Sequence, residues 1–194
     1  QPRFRCPVRP VSTAERLEKG DKVRSLTGYP LRGAVGFGVG MLLTVAPLAF
    51  TTSNLVGLVI APFIGGAIGA GIFIAGGDAD TRCVWGFGAG FCVLWVITLF
   101  AHISIQGGGT PDYAWGAIGT GTGFALGGGI GGLTIRPGLA LPGAVTFGLA
   151  GLIGGPISFY LVYPGVGAGL LVALPAAGAL AGALLGLAIN LLGE

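Results

Sequence analysis

Charged residues are scarce in this sequence. Asp, Glu, Lys and Arg make up only 9% of the 194 residues, whereas ordinary soluble domains contain about 25%. Hydrophobic residues reach 53%, and the mean hydropathy is +0.87. This balance excludes an ordinary soluble domain. It predicts an all-α integral membrane protein, because long charge-free apolar stretches are suited to the bilayer core.

Side chains able to do chemistry are equally scarce. Cys6, Cys83 and Cys92 are scattered and form no CxxC motif, which excludes a disulfide framework and a cysteine-based zinc site. The chain has one histidine, and its acidic residues after position 32 lie between the apolar stretches or at the last residue. A catalytic or metal site needs several such groups together. We therefore expect a non-enzymatic protein without a cofactor.

Most of the positive charge belongs to residues 1–32, where eight Lys or Arg face three acids for a net charge of +5. The rest of the chain has two arginines against four acids. Because the basic character is confined to this tail, nucleic-acid binding is not expected. Ser12 and Glu15 have the spacing of a capping box, which predicts a short interfacial helix in a cytoplasmic tail.

Residues 33–194 form a predicted membrane domain of six helices. Each transmembrane helix needs about 20 apolar residues, and short connections with turn formers or charges separate the six runs. The tail, Arg82 and Arg136 all fall on one side of a six-span arrangement, which predicts that both termini are cytoplasmic. The runs cover residues 33–52, 55–76, 83–105, 113–135, 143–162 and 165–192.

A glycine–phenylalanine phrase opens each odd-numbered span. The first copy reads RGAVGFGVG, the second RCVWGFGAG and the third, looser one PGAVTFGLAG. Aligning them superposes Phe37, Phe87 and Phe147. The repetition predicts three parallel-repeated helical hairpins around a pseudo-threefold axis. The repeats cover about 33–81, 82–141 and 142–194.

Small residues spaced four apart create flat faces on these helices. In lipid, helices associate through close van der Waals contact, which such faces permit. The stripes are longest in the even-numbered helices and fall in register across the repeats. We therefore expect glycine-zipper packing, with the even helices as contact helices that meet near the axis. The expected packing residues are Gly36, Gly40, Gly65, Gly69, Gly86, Gly90, Gly119, Gly123, Gly127, Gly131, Gly178, Gly182 and Gly186.

Five residues are candidates for a ligand site or a solute path. His102, near the end of the third span, could bind a haem or pigment or relay protons, but the lack of a second histidine favours an interfacial hydrogen-bonding role. Pro62 and Pro175 interrupt helices at matching places, as in some transporters. Thr120 and Thr122, in GTGTG, could line a polar path. Ordinary packing is the favoured alternative for the prolines and threonines.

Charge-free helices, short loops and the lack of a soluble domain favour a structural or accessory subunit, or a scaffold, in a larger membrane assembly. The expected partners are membrane lipids and either other membrane subunits or further copies of the chain. The alternative is a small-solute transporter or channel with a path between the hairpins. The hairpin layout resembles that of mitochondrial carriers, and the glycine content resembles that of Tim17-type translocase subunits. The carrier signature of Pro-x-acidic-x-x-basic does not occur in the odd spans, so no residue roles are carried over.

Overall fold

The computed structural model describes residues 28–50, 55–75, 81–106, 113–162 and 167–192. The predicted helix of the tail, around Ser12, lies outside these residues. The described chain is all-helical, and its six α-helices follow the six predicted apolar runs closely. They are α1 (Tyr29–Phe50), α2 (Leu55–Ile74), α3 (Arg82–Gln106), α4 (Tyr113–Ile135), α5 (Ala140–Val162) and α6 (Gly167–Leu192).

Two helices begin a few residues earlier than predicted. Helix α1 begins at Tyr29, and α5 begins at Ala140. Each has a proline in its first turn, Pro30 and Pro142 respectively. A proline there removes an N–H that has no intrahelical partner in any case. Both prolines are therefore compatible with helix, although Pro30 was predicted to lie in the tail and Pro142 in a connection.

A tight turn joins α4 to α5. Arg136 is extended, with φ −162° and ψ 150°, as is usual for a residue that precedes proline. Pro137–Leu139 then forms a single 3₁₀ turn, in which the Leu139 N–H donates to the Arg136 carbonyl at 2.9 Å. Leu139 is fully buried. The short turn places the start of α5 directly beside the end of α4.

The six helices form a closed ring. Helices that are consecutive in sequence pack side by side, and α6 packs against α1. Neighbouring helices are antiparallel, as the glycine pairs of α1 and α2 illustrate: Gly36 faces Gly69, and Gly40 faces Gly65. Every close pair in the ring combines an odd-numbered helix with an even-numbered one. Odd-numbered helices therefore run parallel to one another.

The described helices have the length and composition of a helical membrane protein. Four helical stretches are long and apolar enough to cross a bilayer, and Val59–Ile74 is a shorter apolar helix. Glycine-rich α4 is not among them, since glycine adds little hydropathy. That all six helices span the membrane stays a prediction. The four stretches are Tyr29–Pro47, Arg82–Phe100, Pro137–Ser158 and Leu171–Leu192.

Apolar side chains cover both the inside and the outside of the ring. The interior contains buried residues from all six helices, such as Met41, Leu94 and Leu185. Large apolar residues such as Leu31 and Leu141 are exposed on the outside. A helix that is apolar all round suits a membrane, where lipid covers the outer face. The fold thus buries a core without leaving a polar exterior.

Candidate functional site

Phe37, Phe87 and Phe147, the residues shared by the three repeated phrases, meet inside the ring. The ring centroid of Phe37 lies 4.6 Å from that of Phe87 and 5.1 Å from that of Phe147. The ring centroids of Phe87 and Phe147 are 6.0 Å apart. These separations are typical of favourable aromatic pairs. Phe73 and Phe91 also pack against Phe37, at 5.5 and 6.1 Å. We call these five buried residues the phenylalanine cluster.

The phenylalanine cluster lies across the centre of the ring. We expected the even helices to meet near the axis, whereas α1, α3 and α5 supply the three rings that converge there. The even helices lie between odd helices instead. Aromatic rings bridge the space between helices whose backbones are not in close contact. The shared phenylalanines are therefore central packing residues.

Glycines line the contacts within the first two hairpins. A Cβ on Gly40 would lie 2.5 Å from the Gly65 carbonyl oxygen, and one on Gly127 would lie 2.6 Å from that of Gly90. Ordinary Cβ contacts begin at 3.4 Å, so a larger residue would push the helices apart. The other predicted glycines of these hairpins are placed as follows: Gly36 faces Gly69, Gly86 lies against Thr134, Gly123 against Leu94, Gly131 against Phe87, and Gly119 is half-buried.

The three predicted packing glycines of α6 face α1, not α5. A Cβ on Gly178 would lie 2.6 Å from the Phe37 carbonyl oxygen. The remaining two follow the same face: Gly182 lies against Gly33, and Gly186 against the backbone of Tyr29. These contacts close the ring between the last helix and the first.

A lateral groove of about 280 Å³ lies between α5 and α6. Its lining is entirely of apolar residues, with buried Ala150 and Ala177 inside and exposed Ile153 and Leu180 at its borders. Ala150 aligns with the glycines Gly40 and Gly90 of the other hairpins. The sequence analysis did not predict this groove.

Hydroxyl groups occur inside the ring, away from the phenylalanine cluster. Thr44 donates to the Gly40 carbonyl at 2.9 Å, and Ser158 donates to the Gly155 carbonyl at 2.7 Å. Such bonds to the preceding helical turn satisfy a hydroxyl without an external partner. The residues with fully or almost fully buried hydroxyls are Thr44, Thr98, Thr120 and Ser158.

Thr120 and Thr122 lie on different sides of α4. Thr120 is fully buried, and its Oγ1 has no hydrogen-bond partner within the described chain. Thr122 is exposed on the outside. Two residues along a helix correspond to a rotation of about 200°, which explains the opposite placement. The two threonines therefore do not line one path.

Trp95 is a buried polar residue that the sequence analysis missed. It is 3% exposed, and its Nε1–H also has no hydrogen-bond partner among the described residues. Thr98 follows one turn later on the same helix. The sequence did contain a signal for the buried hydroxyl residues. Thr98 lies eleven residues after Phe87, and Ser158 lies eleven residues after Phe147.

The remaining predicted site residues are not brought together. Pro62 is buried in α2, and Pro175 is half-buried in α6. Because α1 packs between α2 and α6 in the ring, the two prolines lie on opposite sides of α1. Both are inside α-helices. His102 belongs to α3, but its side chain lies outside the described part of the chain. These placements do not assemble a shared ligand site.

Arginines mark one end of the bundle, which we call the arginine end. Arg32 and Arg82 lie at the starts of α1 and α3, and Arg136 precedes α5. The Arg136 Nη2 donates to the Leu192 carbonyl at 3.1 Å. That carbonyl belongs to the last turn of α6, where backbone acceptors lack intrahelical partners and a cation is favourable. Arg136 thereby links the α4–α5 turn to the end of α6.

Within the described residues, no three His, Cys, Asp or Glu side chains come together where they could hold a metal ion. Comparison with known proteins gives no match, since no family model, no curated protein and no solved structure is significantly similar to this chain. The site is therefore defined by its own geometry: a ring of helices, a central phenylalanine cluster, and buried hydroxyl and indole groups elsewhere inside the ring.

Proposed function

We propose that this chain is a non-enzymatic polytopic membrane protein that serves as a structural or accessory subunit, or scaffold, in a larger membrane assembly. The observation that carries the proposal is the phenylalanine cluster, which fills the centre of the ring with packed aromatic side chains. A catalytic site or a solute path at this level would need polar groups or open space instead. The functional surface is then the outside of the ring.

The outside of the ring is suited to contacts with lipid and with other membrane helices. Exposed apolar side chains occur on all six helices, as at Val39 of α1 and Ile64 of α2. Association between helices in lipid depends on shape and close packing. A ring that is closely packed inside and apolar outside provides such a surface for neighbouring subunits or for further copies of the chain.

We also propose that all six helices cross the membrane as three glycine-packed, parallel repeats around a pseudo-threefold axis. Equivalent contacts between successive hairpins support the repeat: Gly66 lies against the Phe87 carbonyl, and Gly178 lies against the Phe37 carbonyl. The convergence of these phenylalanines with Phe147 supports the symmetry. The arginine end supports cytoplasmic termini, since cytoplasmic loops are enriched in Lys and Arg.

The subunit proposal is tested by the composition of the native complex. Membranes are solubilised gently, the tagged chain is purified, and native mass spectrometry identifies bound chains and lipids. We expect a fixed stoichiometry with other membrane proteins or with further copies of the chain. We also expect that deleting the chain dissolves the assembly. Recovery of a single copy with no bound protein, together with an intact complement of complexes in the deletion strain, would refute the proposal.

Single cysteines test the orientation. In a variant whose native cysteines are replaced by serine, Thr110→Cys and Ala79→Cys lie in connections on opposite predicted sides of the membrane. An impermeant thiol reagent added outside intact cells should label position 110 and leave position 79 unlabelled until the membrane is opened. The reverse labelling pattern would place both termini outside.

A small-solute transporter or channel is the second candidate function. It is favoured by the buried Thr120 hydroxyl and the Trp95 indole, which are polar groups on the inner surface of the ring. For this function the phenylalanine cluster would act as a closed barrier that has to open. Flux of neutral solutes into liposomes tests it directly. Transport by the wild-type protein, increased by Phe87→Ala, would favour this candidate over the scaffold.

A further inference from the structure

The lateral groove between α5 and α6 has a floor of small residues. Ala150 and Gly154 of α5 and Ala173 and Ala177 of α6 line it and are buried. The two residues on each helix are four positions apart, so they are neighbours on one helix face. A Cβ on Gly154 would lie 2.5 Å from the Ala177 Cβ. The two helices therefore touch at the floor, and the space of the groove lies outside this contact.

Larger side chains form the two walls of the groove. Ile153 and Ile157 of α5 are exposed on one side, and Val172 and Leu180 of α6 are exposed on the other. Ala176, which is also exposed, lies midway between Val172 and Leu180 on the same face of α6. Because its side chain is a single methyl group, the α6 wall is low at its centre. The groove is thus open to the outside of the ring.

The groove lies at a depth where a bilayer is hydrocarbon. Its lining residues all belong to Pro137–Ser158 and Leu171–Leu192, two of the stretches that are long and apolar enough to cross a membrane. On α6, Leu180 and Val172 lie about 18 and 30 Å from Leu192 at the arginine end, at a rise of 1.5 Å per residue. The hydrocarbon core is about 30 Å thick. The groove therefore faces the half of the bilayer opposite the arginine end.

The volume and the lining of the groove suit a hydrocarbon chain. An apolar protein cavity of about 150 Å³ stays dry and binds benzene. The groove measures about 280 Å³, so on this scale it accommodates on the order of ten carbon atoms. That is a large part of one lipid acyl chain. Because every lining residue is apolar, the groove offers nothing that would select a polar headgroup.

A transmembrane helix is too wide to enter the groove. The walls extend over about 12 Å of α6, and a helix of that length and about 10 Å diameter occupies roughly 900 Å³. This is about three times the volume of the groove. Helices in lipid associate through small residues that let backbones approach closely, but here the small residues lie below the walls. A narrow, flexible chain can reach them.

We infer that the lateral groove binds one acyl chain of a membrane lipid from the leaflet opposite the arginine end. The chain lies along the floor and restores the van der Waals contacts that an empty groove would lack. In the proposed orientation of the protein this is the outer leaflet. The inference rests on the proposed membrane location of α5 and α6, and it is independent of the scaffold function.

A photoactivatable lipid tests the inference. The full chain is reconstituted into phosphatidylcholine vesicles with a small fraction of phosphatidylcholine that has a diazirine in its acyl chain, and mass spectrometry locates the label after illumination. We expect labelling concentrated on the groove residues, well above that of exposed residues elsewhere, such as Val39 and Ile64. Even labelling of the exposed residues of all helices would overturn the groove site and leave the membrane location intact. An unlabelled protein would contradict the membrane location itself, and the inference with it.

Ala176→Leu raises the low centre of the α6 wall and fills the groove. It should reduce labelling of the groove residues to the level of other exposed residues. Ala89→Leu is the matched control, because Ala89 of α3 is also an exposed alanine but does not line the groove, and its labelling should equal that of the wild type. Unchanged groove labelling in Ala176→Leu would overturn the inference. If Ala176→Leu does not fold, the labelling pattern of the wild type decides alone.

A photoreactive residue distinguishes lipid from protein in the native membrane. Ile153, in the α5 wall, is replaced by p-benzoyl-phenylalanine, and membranes are illuminated before they are solubilised. Mass spectrometry should then show a lipid adduct at position 153. A crosslink to another protein or to a second copy of the chain would show that protein covers the groove, and this result would overturn the inference.

Discussion

The contact between Gly127 of α4 and Gly90 of α3 permits a quantitative prediction. A Cβ on Gly127 would lie 2.6 Å from the Gly90 carbonyl oxygen, about 0.8 Å short of the 3.4 Å at which ordinary contacts begin. It would also lie 2.9 Å from the Leu94 Cβ. Overpacking of this kind costs about 1–3 kcal/mol. Replacing glycine by alanine inside a helix recovers about 1 kcal/mol, so Gly127→Ala should lose roughly 0–2 kcal/mol.

Gly71 of α2 is the matched control, because a Cβ added there would meet no heavy atom within 4 Å. Gly71→Ala should leave the free energy of unfolding unchanged or raise it slightly, as helix propensity alone predicts. The assay is unfolding of the purified proteins by increasing SDS in mixed micelles, followed by circular dichroism. If Gly127→Ala unfolds at the same SDS fraction as Gly71→Ala, the close-contact explanation is wrong.

Larger side chains at the same kind of contact should have a stronger effect. Gly127→Leu and Gly182→Leu should prevent folding or assembly, since Gly182 faces the backbone of Gly33 without any space between them. Size-exclusion chromatography after expression provides the measurement. Normal elution of both variants would refute the packing role assigned to these glycines.

Further substitutions probe other parts of the bundle. Phe87→Ala removes a fully buried ring and should lower the free energy of unfolding by about 3–5 kcal/mol; Phe100→Ala, at a position 73% exposed, should lower it far less in the same SDS titration. Arg136→Ala removes the bond to the Leu192 carbonyl and should speed hydrogen exchange in the last turn of α6, so unchanged exchange would contradict this capping role. Ala176→Leu adds apolar volume at the lateral groove and should leave Tm unchanged or raise it, whereas a large decrease would show that the groove cannot accept a side chain.

The sequence predicted the helices well, and the physical reason is clear. Charge-free apolar runs bounded by turn formers leave helix as the only structure that satisfies the backbone in lipid without strand partners. The errors occurred at Pro30, which was assigned to the tail, and at Pro142, which was assigned to a connection, although the first turn of a helix accepts proline. The start of α5 was placed late for this reason.

The sequence also suggested residues important for packing, but it did not identify their partners. The shared phenylalanines were noticed from repetition, yet only the structure showed that Phe37, Phe87 and Phe147 contact one another. Small-residue spacing identifies a flat face but not the helix that it faces. Gly178 illustrates this, because it lies against α1 and not against its hairpin partner α5.

The sequence by itself determined the class of protein, the number of helices and their approximate ends, because hydropathy and turn residues are local properties of the chain. The tertiary structure decided which face of each helix points inward. Lipid and protein interior are both apolar, so hydrophobicity does not distinguish the two sides. Thr120 and Thr122 were therefore equivalent candidates in the sequence, and only the closed ring places Thr120 inside and Thr122 outside.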